Sequence, residues 1–296
     1  MPDKPSLKYL FIINPGSGRN SADSWKSLIT DFFKSNKDEF EIYVLPAHFT
    51  PTQIKDHISK LLPQQVIAVG GDGTVTMLAN LLVGTDIPLG ILPGGSANGM
   101  AKELGIPSVP EDALKVIVKG FQKKIDLIRL NNKDYCLHLS DIGLNARLVK
   151  YFDEGKLRGK IGYARVIFKT LWYRQKMQVS IRTGETQIKR EAFMVALANA
   201  RMYGTGAVIN PNGKPDDGQF EIIILRKLSF FTVLKMMFRP RIFDPKKIEI
   251  IPCTSAEITT KRAMHFQTDG EYKGKLKRIT AVIVPGAVRM ILPREQ

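Results

Sequence analysis

The sequence predicts an α/β protein in two parts: a doubly wound parallel-sheet domain, followed by an antiparallel β-sandwich-like domain. In the first part, short apolar runs alternate strictly with segments whose apolar residues recur at helical spacing. Such alternation predicts a parallel sheet covered by helices. Near Lys123 the chain changes to short extended runs separated by turn residues, a pattern typical of antiparallel sheets. We therefore place the first domain at residues 1–124 and the second at residues 125–285, while the tail, residues 286–296, could pack back on the first domain.

The strands of the first domain are predicted from apolar, β-branched runs, which are typical of strands buried on both faces. These runs are Lys8–Ile13, Glu41–Leu45, Gln65–Val69 and Ile87–Ile91. Helices are predicted between them from apolar residues that recur every three or four positions. The helical segments are Trp25–Phe33, Thr50–Leu62, Thr74–Leu82, a short helix through Leu104, and Pro110–Gly120. Thr74 is predicted to cap its helix, because a threonine oxygen accepts hydrogen bonds from the first helical turn.

The second domain is predicted from short extended runs and two helical stretches. The extended runs are Lys124–Leu130, Tyr135–Ser140, Lys176–Arg182, Gln187–Ala200, Gln219–Leu225, Lys246–Ile251, Ala256–Thr260 and Lys277–Val284. Turn-forming residues at Asn131–Asp134 and Arg182–Glu185 predict hairpins. The helical stretches lie around Ala146–Tyr151 and Tyr163–Tyr173.

Glycine-rich turns follow three of the predicted parallel strands, at Asn14–Gly18, Gly70–Thr74 and Pro93–Gly99. A turn between a strand and a helix directs backbone N–H groups and a helix N-terminus to one place, which suits phosphate oxygens. Turns on neighbouring parallel strands meet at one edge of the sheet. A Walker A loop is excluded because Met100 stands where that loop requires lysine, and Ser21 replaces the third glycine of a Rossmann fingerprint.

Composition excludes several classes of protein. A hydrophobic content of 44% with 24% charged residues is that of a globular protein rather than a disordered one. No apolar run reaches the ~18 residues of a membrane span, and Cys136 and Cys253 do not make a disulfide framework. We expect a cytoplasmic protein with reduced, buried thiols. A net charge of +16 favours an anionic partner, and no nucleic-acid-binding motif accompanies it, so nucleic acid is not expected.

Four motifs resemble the signatures of the diacylglycerol kinase catalytic-domain family, which includes bacterial lipid kinases and sphingosine kinases. They are Asn14–Gly18, Gly70–Thr74, Pro93–Asn98 and Asp269–Glu271, in the expected order and over essentially the whole chain. The resemblance implies an ATP-binding first domain, a lipid-binding second domain, and an active site in the cleft between them. It also implies the reaction, which is transfer of the γ-phosphoryl group of Mg-ATP to the hydroxyl of a diacylglycerol-like or sphingoid lipid.

The resemblance assigns roles to individual residues. Glu271 is implied as the general base that takes the proton of the acceptor hydroxyl, with Asp269 in the same polar network and Asp72 near Mg²⁺ and the phosphates. Gly270 is expected to let both neighbouring acids protrude at a turn. Asp126 is the third acid; in an apolar run it either lies on a solvated face or needs a partner. The residues implied to bind ATP are Asn14, Pro15, Gly16, Ser17, Gly18, Gly70, Gly71, Asp72, Gly73, Thr74, Val75, Thr76, Ser96 and Asn98.

Two magnesium ions are implied, one with ATP and one structural. Lys214–Gln219 resembles the structural magnesium loop of the family, in which Asp217 supplies the carboxylate and Lys214 and Gln219 supply carbonyl oxygens; an ordinary turn is the alternative.

Arg226–Phe243 mixes bases with large apolar residues, so it is either a core helix or a segment that lies on an anionic membrane. Lys150–Lys176 could add to that surface. We expect peripheral contact with the inner membrane face and leave a homodimer open.

Two other functions stay open. NAD kinase shares the Gly-Gly-Asp-Gly sequence, although the chain has no Asn-Asn-Glu-type triplet. A lipid-binding relative without turnover is the second alternative, because Thr76-Met77 and Gly99 depart from the residues that are common in the family. The same departures leave the acceptor lipid undecided.

Overall fold

The computed structural model describes residues 7–18, 20–34, 38–154, 175–202, 208–227 and 246–294. The chain divides into two compact units, of which unit 1 comprises Met1–Ile125 and Gly286–Gln296 and unit 2 comprises Asp126–Pro285. The predicted helix at Tyr163–Tyr173 and most of the Lys150–Lys176 and Arg226–Phe243 segments lie outside the described residues.

Unit 1 is built on a parallel sheet with helices packed on it. Its strands are β1 (Lys8–Ile13), β2 (Glu39–Val44), β3 (Gln65–Gly70) and β4 (Leu89–Pro93). They lie side by side in the order β2, β1, β3, β4. Its helices are α1 (Ala22–Phe33), α2 (Pro51–Leu61), α3 (Asp72–Leu82), α4 (Gly99–Glu103) and α5 (Pro110–Lys119). This arrangement confirms the predicted doubly wound domain.

Local sequence explains where these helices begin. Thr50 and Gln53 form a capping box at α2, with Pro51 in the first turn, because each side chain satisfies a backbone N–H that lacks a helical partner. The prediction that Thr74 caps α3 is wrong. The helix begins two residues earlier with Gly71 at the N-cap, and the Thr74 hydroxyl accepts a hydrogen bond from the Asn14 side chain instead (3.0 Å).

Unit 2 is rich in antiparallel strands. Its elements are β5 (Phe121–Leu130, which begins in unit 1), β6 (Asp134–Cys136), β7 (Leu139–Gly143), α6 (Leu144–Glu154), β8 (Met177–Thr183), β9 (Thr186–Ala192), β10 (Met194–Ala198), β11 (Phe220–Leu225), β12 (Ile248–Cys253), β13 (Ser255–Thr268) and β14 (Glu271–Leu292). The order β12, β11, β10, β7, β13, β14 is antiparallel throughout, and the β8–β9 hairpin joins at β13. The predicted β-sandwich-like character is consistent with β11, whose alternate residues enter two different hydrophobic clusters.

The last two strands are much longer than the sequence predicted. β13 and β14 extend over 14 and 22 residues, whereas the sequence predicts the shorter strands Ala256–Thr260 and Lys277–Val284 and a separate strand-like run at Met264–Thr268. Register shifts interrupt the alternation of side chains along this pair, and such irregularities conceal the two-residue period on which strand prediction depends. The end of β14 returns to unit 1, where Met290 pairs with Leu89 of β4.

Two expectations from composition can be compared with the structure directly. Cys136 and Cys253 are buried and free, as expected. Among the described residues, no helix is long and apolar enough to cross a membrane.

Candidate functional site

The three glycine-rich turns of unit 1 meet at one edge of its sheet. β1, β3 and β4 are adjacent and parallel, so their carboxyl ends lie together. Hydrogen bonds join the turns: Asn14 N–H donates to the Val69 carbonyl (3.0 Å), and Gly94 N–H donates to the Gly70 carbonyl (2.8 Å). The structure therefore brings together the Asn14–Gly18, Gly70–Thr74 and Pro93–Asn98 segments, as predicted.

Two glycines allow this approach. A Cβ atom on Gly18 would lie 1.7 Å from the carbonyl oxygen of Gly94, and its φ of +82° favours glycine independently. A Cβ atom on Gly95 would lie 2.5 Å from the Cα atom of Gly71. Side chains at these positions would push the turns apart, so the glycines serve the packing of one turn on another.

The N-terminus of α3 is open. Gly71 at the N-cap has no side chain to accept from the first N–H groups, and a Cβ atom built on Gly73 meets nothing within 4 Å. N–H groups at a helix N-terminus without a side-chain cap, together with the helix dipole, favour an anion. The Gly71–Gly73 segment therefore has the geometry of a phosphate-binding turn.

Asn14 organises the first turn. Its side-chain oxygen accepts from Gly16 N–H (3.0 Å), and its side-chain nitrogen donates to the Thr74 hydroxyl (3.0 Å). Ser17 donates its hydroxyl to the Asn14 carbonyl (2.8 Å). Pro15 and Gly16 are exposed, so this turn presents backbone rather than apolar side chains.

Asp72, in the Gly70–Thr74 turn, holds that turn against the Pro93–Gly99 turn. Its two carboxylate oxygens accept from the N–H groups of Gly99 and Met100, each at 2.9 Å, so this carboxylate caps α4. Both of these contacts of Asp72 are with backbone N–H groups of the neighbouring turn. The sequence did not predict this cap, because Asp72 and Gly99 are 27 positions apart in the chain.

The remaining residues expected to bind ATP have different environments. Asn98 has a left-handed backbone and closes its turn by exchanging two hydrogen bonds with Gly95. Ser96 is exposed, whereas Thr76 is half-buried. Val75 is buried among the core residues of α3, so its side chain lies away from the turn surface.

In unit 2, the Asp269–Gly270 turn connects β13 to β14, and both residues have positive φ, 48° and 86°. The expectation that both acids protrude is wrong for Asp269. Its carboxylate turns inward and accepts from the N–H groups of Leu137, His138 and Leu139 at 2.8–3.0 Å. A carboxylate that accepts several backbone N–H bonds is a strong tether, so Asp269 fixes the turn to the segment before β7.

Glu271 does protrude. Its side chain is 62% exposed and pairs with the Lys273 ammonium group at 2.7 Å. Because Glu271 begins β14 directly after the tethered turn, its backbone is fixed while its carboxylate remains accessible. An accessible carboxylate on a fixed backbone can accept a proton from a hydroxyl that comes within hydrogen-bond reach.

Asp126 lies at the Lys214–Gln219 loop. It is 3% exposed; its N–H donates to the Pro215 carbonyl (2.8 Å), and its carboxylate accepts from Gly218 N–H (2.7 Å). The sequence left open whether Asp126 lies on a solvated face or is buried with a partner, and the structure shows that it is buried and hydrogen-bonded. Asn199 links this region to the Asp269 tether, since its amide donates to the carbonyls of Asp126 and Leu137.

The Lys214–Gln219 loop carries the candidate structural magnesium ligands. One oxygen of Asp217 accepts from Gln219 N–H (3.1 Å), which leaves its other oxygen for a cation. Asn199 and Asn210, next to this loop, each have a buried side-chain oxygen without a hydrogen-bond partner among the described residues. Burial raises the pKa of nearby Glu221, and the charge of Asp217 adds to that shift. No group of three or more His, Cys, Asp or Glu residues in the described part of the chain is placed to hold a metal, so any ion here would depend on carbonyl oxygens as well.

Sequence reasoning missed a buried polar group beneath the Asp269–Gly270 turn. Asp141 and Gln267 are each 1% exposed and are cross-strand partners in β7 and β13. The Gln267 amide nitrogen donates to Asp141, and its oxygen accepts from Gly270 N–H (2.8 Å). The available signal was a single charged residue in the buried Leu139–Gly143 run, which resembles the signal at Asp126.

Family models match both parts of the chain. Residues 8–130 match the diacylglycerol kinase catalytic domain, and residues 140–292 match the YegS C-terminal NAD kinase beta sandwich-like domain. A relative from Klebsiella pneumoniae (strain 342), named "Probable lipid kinase YegS-like", is 30% identical over 246 residues, covering 80% of this chain and 81% of the relative.

Solved structures share the fold. A diacylglycerol kinase from Bacillus anthracis strain Sterne superposes with a TM-score of 0.79 at 22% identity, covering 98% of this chain and 99% of the other. An NAD kinase from Archaeoglobus fulgidus in complex with ATP gives a TM-score of 0.56 at 12% identity, with 97% and 94% of the two chains covered. These solved structures show the fold. The two family models and the 30% identical relative show that the chain belongs to the diacylglycerol kinase catalytic-domain family and carries the YegS type of C-terminal domain.

Proposed function

We propose that this protein transfers the γ-phosphoryl group of ATP to the hydroxyl of a lipid. The observation that carries the proposal is the edge of the unit 1 sheet, where three interlocked glycine turns surround the open N-terminus of α3 in a member of a lipid kinase family. Phosphoryl transfer depends mainly on positioning and charge stabilisation, and backbone N–H groups held by such turns supply both.

ATP would lie with its phosphates on the Gly71–Gly73 segment and the Asn14–Gly18 turn. Gly73 leaves open space, and the exposed Ser96 could donate its hydroxyl to a phosphate. Asp72 would act mainly by holding the second turn in place through Gly99 and Met100. Its carboxylate retains lone pairs for a magnesium ion that accompanies the phosphates, and such an ion would neutralise charge that develops during transfer.

Glu271 is the proposed base. A lipid hydroxyl becomes a competent nucleophile when a group within hydrogen-bond reach takes its proton. The exposed carboxylate of Glu271 can accept that proton, and the inward-facing Asp269 carboxylate keeps the turn fixed while it does so. The proton leaves the hydroxyl oxygen for a Glu271 oxygen as that hydroxyl oxygen bonds to the γ-phosphorus. The bond from this phosphorus to the β–γ bridging oxygen of ATP breaks in the same step, and ADP leaves with that bridging oxygen.

A second magnesium ion would bind at the Lys214–Gln219 loop. The residues fit a hard cation, because an oxygen of Asp217 and the backbone carbonyls of Lys214 and Gln219 are oxygen ligands that water can complete. The unpartnered buried oxygens of Asn199 and Asn210 support the fit, because waters of a hydrated ion could satisfy them. Its role would be to hold the loop and, through Asp126, the start of unit 2.

The acceptor requires contact with a bilayer. The net charge of +16 would draw the protein to the anionic inner face of a membrane, where a diacylglycerol-like or sphingoid lipid is reached without extraction. The basic segment Arg226–Phe243 is the proposed docking element. Reversal of four of its charges should abolish pelleting with anionic vesicles, and pelleting equal to that of the wild type would remove this part of the proposal.

The decisive experiment supplies ATP labelled in the γ-phosphate, Mg²⁺ and vesicles of a total lipid extract, with NAD offered as acceptor in a parallel reaction. Label in a lipid supports the proposal, and its chromatographic mobility narrows the acceptor. Label in NAD would instead identify an NAD kinase. ATP binding without label in either acceptor would identify a relative that has lost turnover.

A further inference from the structure

The buried pair Asp141 and Gln267 has no part in the reaction proposed above, yet it contacts the turn that carries Glu271. Both side chains are almost completely buried, at 1% exposure each. Burial of a carboxylate and a primary amide is costly unless every donor and acceptor is paired. A pair retained at such a place should therefore have a specific task.

Hydrogen bonding determines the orientation of the Gln267 amide. Its nitrogen faces the Asp141 carboxylate, which can only accept, and its oxygen faces the Gly270 N–H, which can only donate. A flipped amide would lose both bonds. Gln267 therefore connects the Asp141 carboxylate to the backbone of Gly270, so that the place of Asp141 determines the place of Gly270.

Asp141 is fixed from a third element. Its carboxylate also accepts from the N–H of Ala146 (2.8 Å) and from the side chain of Asn145 (2.6 Å), both in the first turn of α6. β7 and β13 hold the two residues directly opposite each other. A continuous path of hydrogen bonds therefore runs from the start of α6, through Asp141 and Gln267, to the residue that precedes Glu271.

We propose that Gln267 and Asp141 are positioning residues that set where the Glu271 carboxylate stands. The inference rests on the proposed function of Glu271 as base. The Asp269 carboxylate holds one side of the turn, and Gln267 holds the other side at Gly270. If either set of hydrogen bonds is lost, the positive-φ turn can pivot, and the Glu271 carboxylate moves with it. A misplacement of about 1 Å from a distant change can lower a rate on the order of 100-fold.

The test compares Gln267→Met with wild type in the labelled-lipid assay. Methionine keeps the shape of glutamine and loses both hydrogen bonds. We expect kcat to fall at least ~10-fold with the KM for ATP unchanged, and amide hydrogen exchange in the 268–273 segment to accelerate. The matched control is Thr260→Val, which removes a buried hydroxyl bond to the Arg262 carbonyl (2.7 Å) elsewhere on β13 and should change neither quantity.

An exchange of the acid and the amide between positions 141 and 267 distinguishes a positioning role from a general loss of stability. Gln267→Glu places two carboxylates face to face, and Asp141→Asn places two amides face to face. The double variant restores one amide opposite one carboxylate, with an acceptor again facing Gly270. Asn145, which donates to Asp141 in the wild type, then has to turn its side-chain oxygen toward the amide introduced at position 141. We expect each single variant to lose activity and the double variant to recover to within about threefold of wild type. If Gln267→Met does not fold, the comparison of the double variant with the two single variants tests the inference instead.

Two results overturn the inference while the proposed function stands, provided that the wild type is active. The first is a kcat of Gln267→Met, per folded molecule, equal to that of Thr260→Val. The second is a double variant whose activity is no higher than that of the less active single variant. A wild-type protein that transfers phosphate to no lipid overturns the proposed function itself, and this role for Gln267 with it. Faster exchange in the 268–273 segment without a change in kcat would assign Gln267 to stability alone.

Discussion

Asp269 and Glu271 lie two residues apart in one turn and have opposite environments. The Asp269 carboxylate is saturated by backbone N–H groups, whereas the Glu271 side chain is 62% exposed. The family resemblance gave the two acids different roles, Glu271 as the base and Asp269 as its neighbour. It did not show that their side chains face in opposite directions, because the N–H groups that hold Asp269 come from residues about 130 positions earlier. Long-range partners of this kind leave no local pattern.

Asp269→Asn should destabilise the protein. The amide retains one acceptor oxygen and places an NH₂ group where the carboxylate accepted an N–H, so at least one buried donor loses its partner. The expected loss in the free energy of unfolding is about 1–3 kcal/mol, measured by urea denaturation. Glu271→Gln, on an exposed side chain of the same turn, should stay within about 0.5 kcal/mol of wild type. Equal stability of Asp269→Asn and wild type would contradict the tether.

The two cysteines should be unreactive in the folded protein. Burial raises the pKa of Cys253 to about 12 and the pKa of Cys136 well above its ordinary value, and only the thiolate attacks a disulfide reagent. A raised pKa lowers the thiolate fraction at pH 8, so a chromogenic disulfide reagent should label neither thiol in the native protein and both in concentrated urea. Rapid labelling without urea would show that these sites open.

At the scale of secondary structure, the sequence predicted the elements of unit 1 well because strands and helices there have clear periods. It failed where tertiary contacts decide. Thr74 looked like a helix cap but packs at the third position of α3, where Asn14 bonds to its hydroxyl. The cap of α4 is Asp72, from another turn. In unit 2, β13 and β14 were underestimated because their register shifts break the alternation.

Gly18→Ala tests the contact between turns. The added Cβ atom would meet the Gly94 carbonyl at 1.7 Å, and alanine disfavours a φ of +82°. We expect a loss of about 2 kcal/mol or more in the free energy of unfolding, together with weaker ATP binding. The matched variant for stability is Gly73→Ala, which meets nothing within 4 Å and should be neutral or slightly stabilising inside α3. Equal effects of the two variants would contradict the interlocked turns.

At the scale of the whole molecule, the first and the last segments of the chain belong to the same unit. Gly286–Gln296 belongs to unit 1, so that unit is assembled from both ends of the sequence. The sequence left this arrangement open, since a short apolar strand carries no information about which sheet it joins. Val288, Met290 and Ile291 are buried in the structure.

A chain truncated after Pro285 should therefore lose stability in unit 1. Removal of these apolar side chains exposes their neighbours in the sheet and leaves β4 without the partner of Leu89. We expect the thermal midpoint to fall by more than ~10 °C. A chain that ends at Pro293 keeps the buried residues and should match the full chain. Identical midpoints for both truncations would show that the segment contributes little.

The central claim is that Glu271 is the base in phosphoryl transfer to a lipid. The most direct measurement is single-turnover transfer from γ-labelled ATP to lipid vesicles by wild type, Glu271→Gln and Glu185→Gln. Glu185 is an exposed glutamate beside a positive-φ glycine in another hairpin, so it controls for loss of charge. We predict unchanged ATP binding in all three and a rate for Glu271→Gln lower by on the order of 100-fold or more. Transfer by Glu271→Gln at the rate of Glu185→Gln would contradict the account.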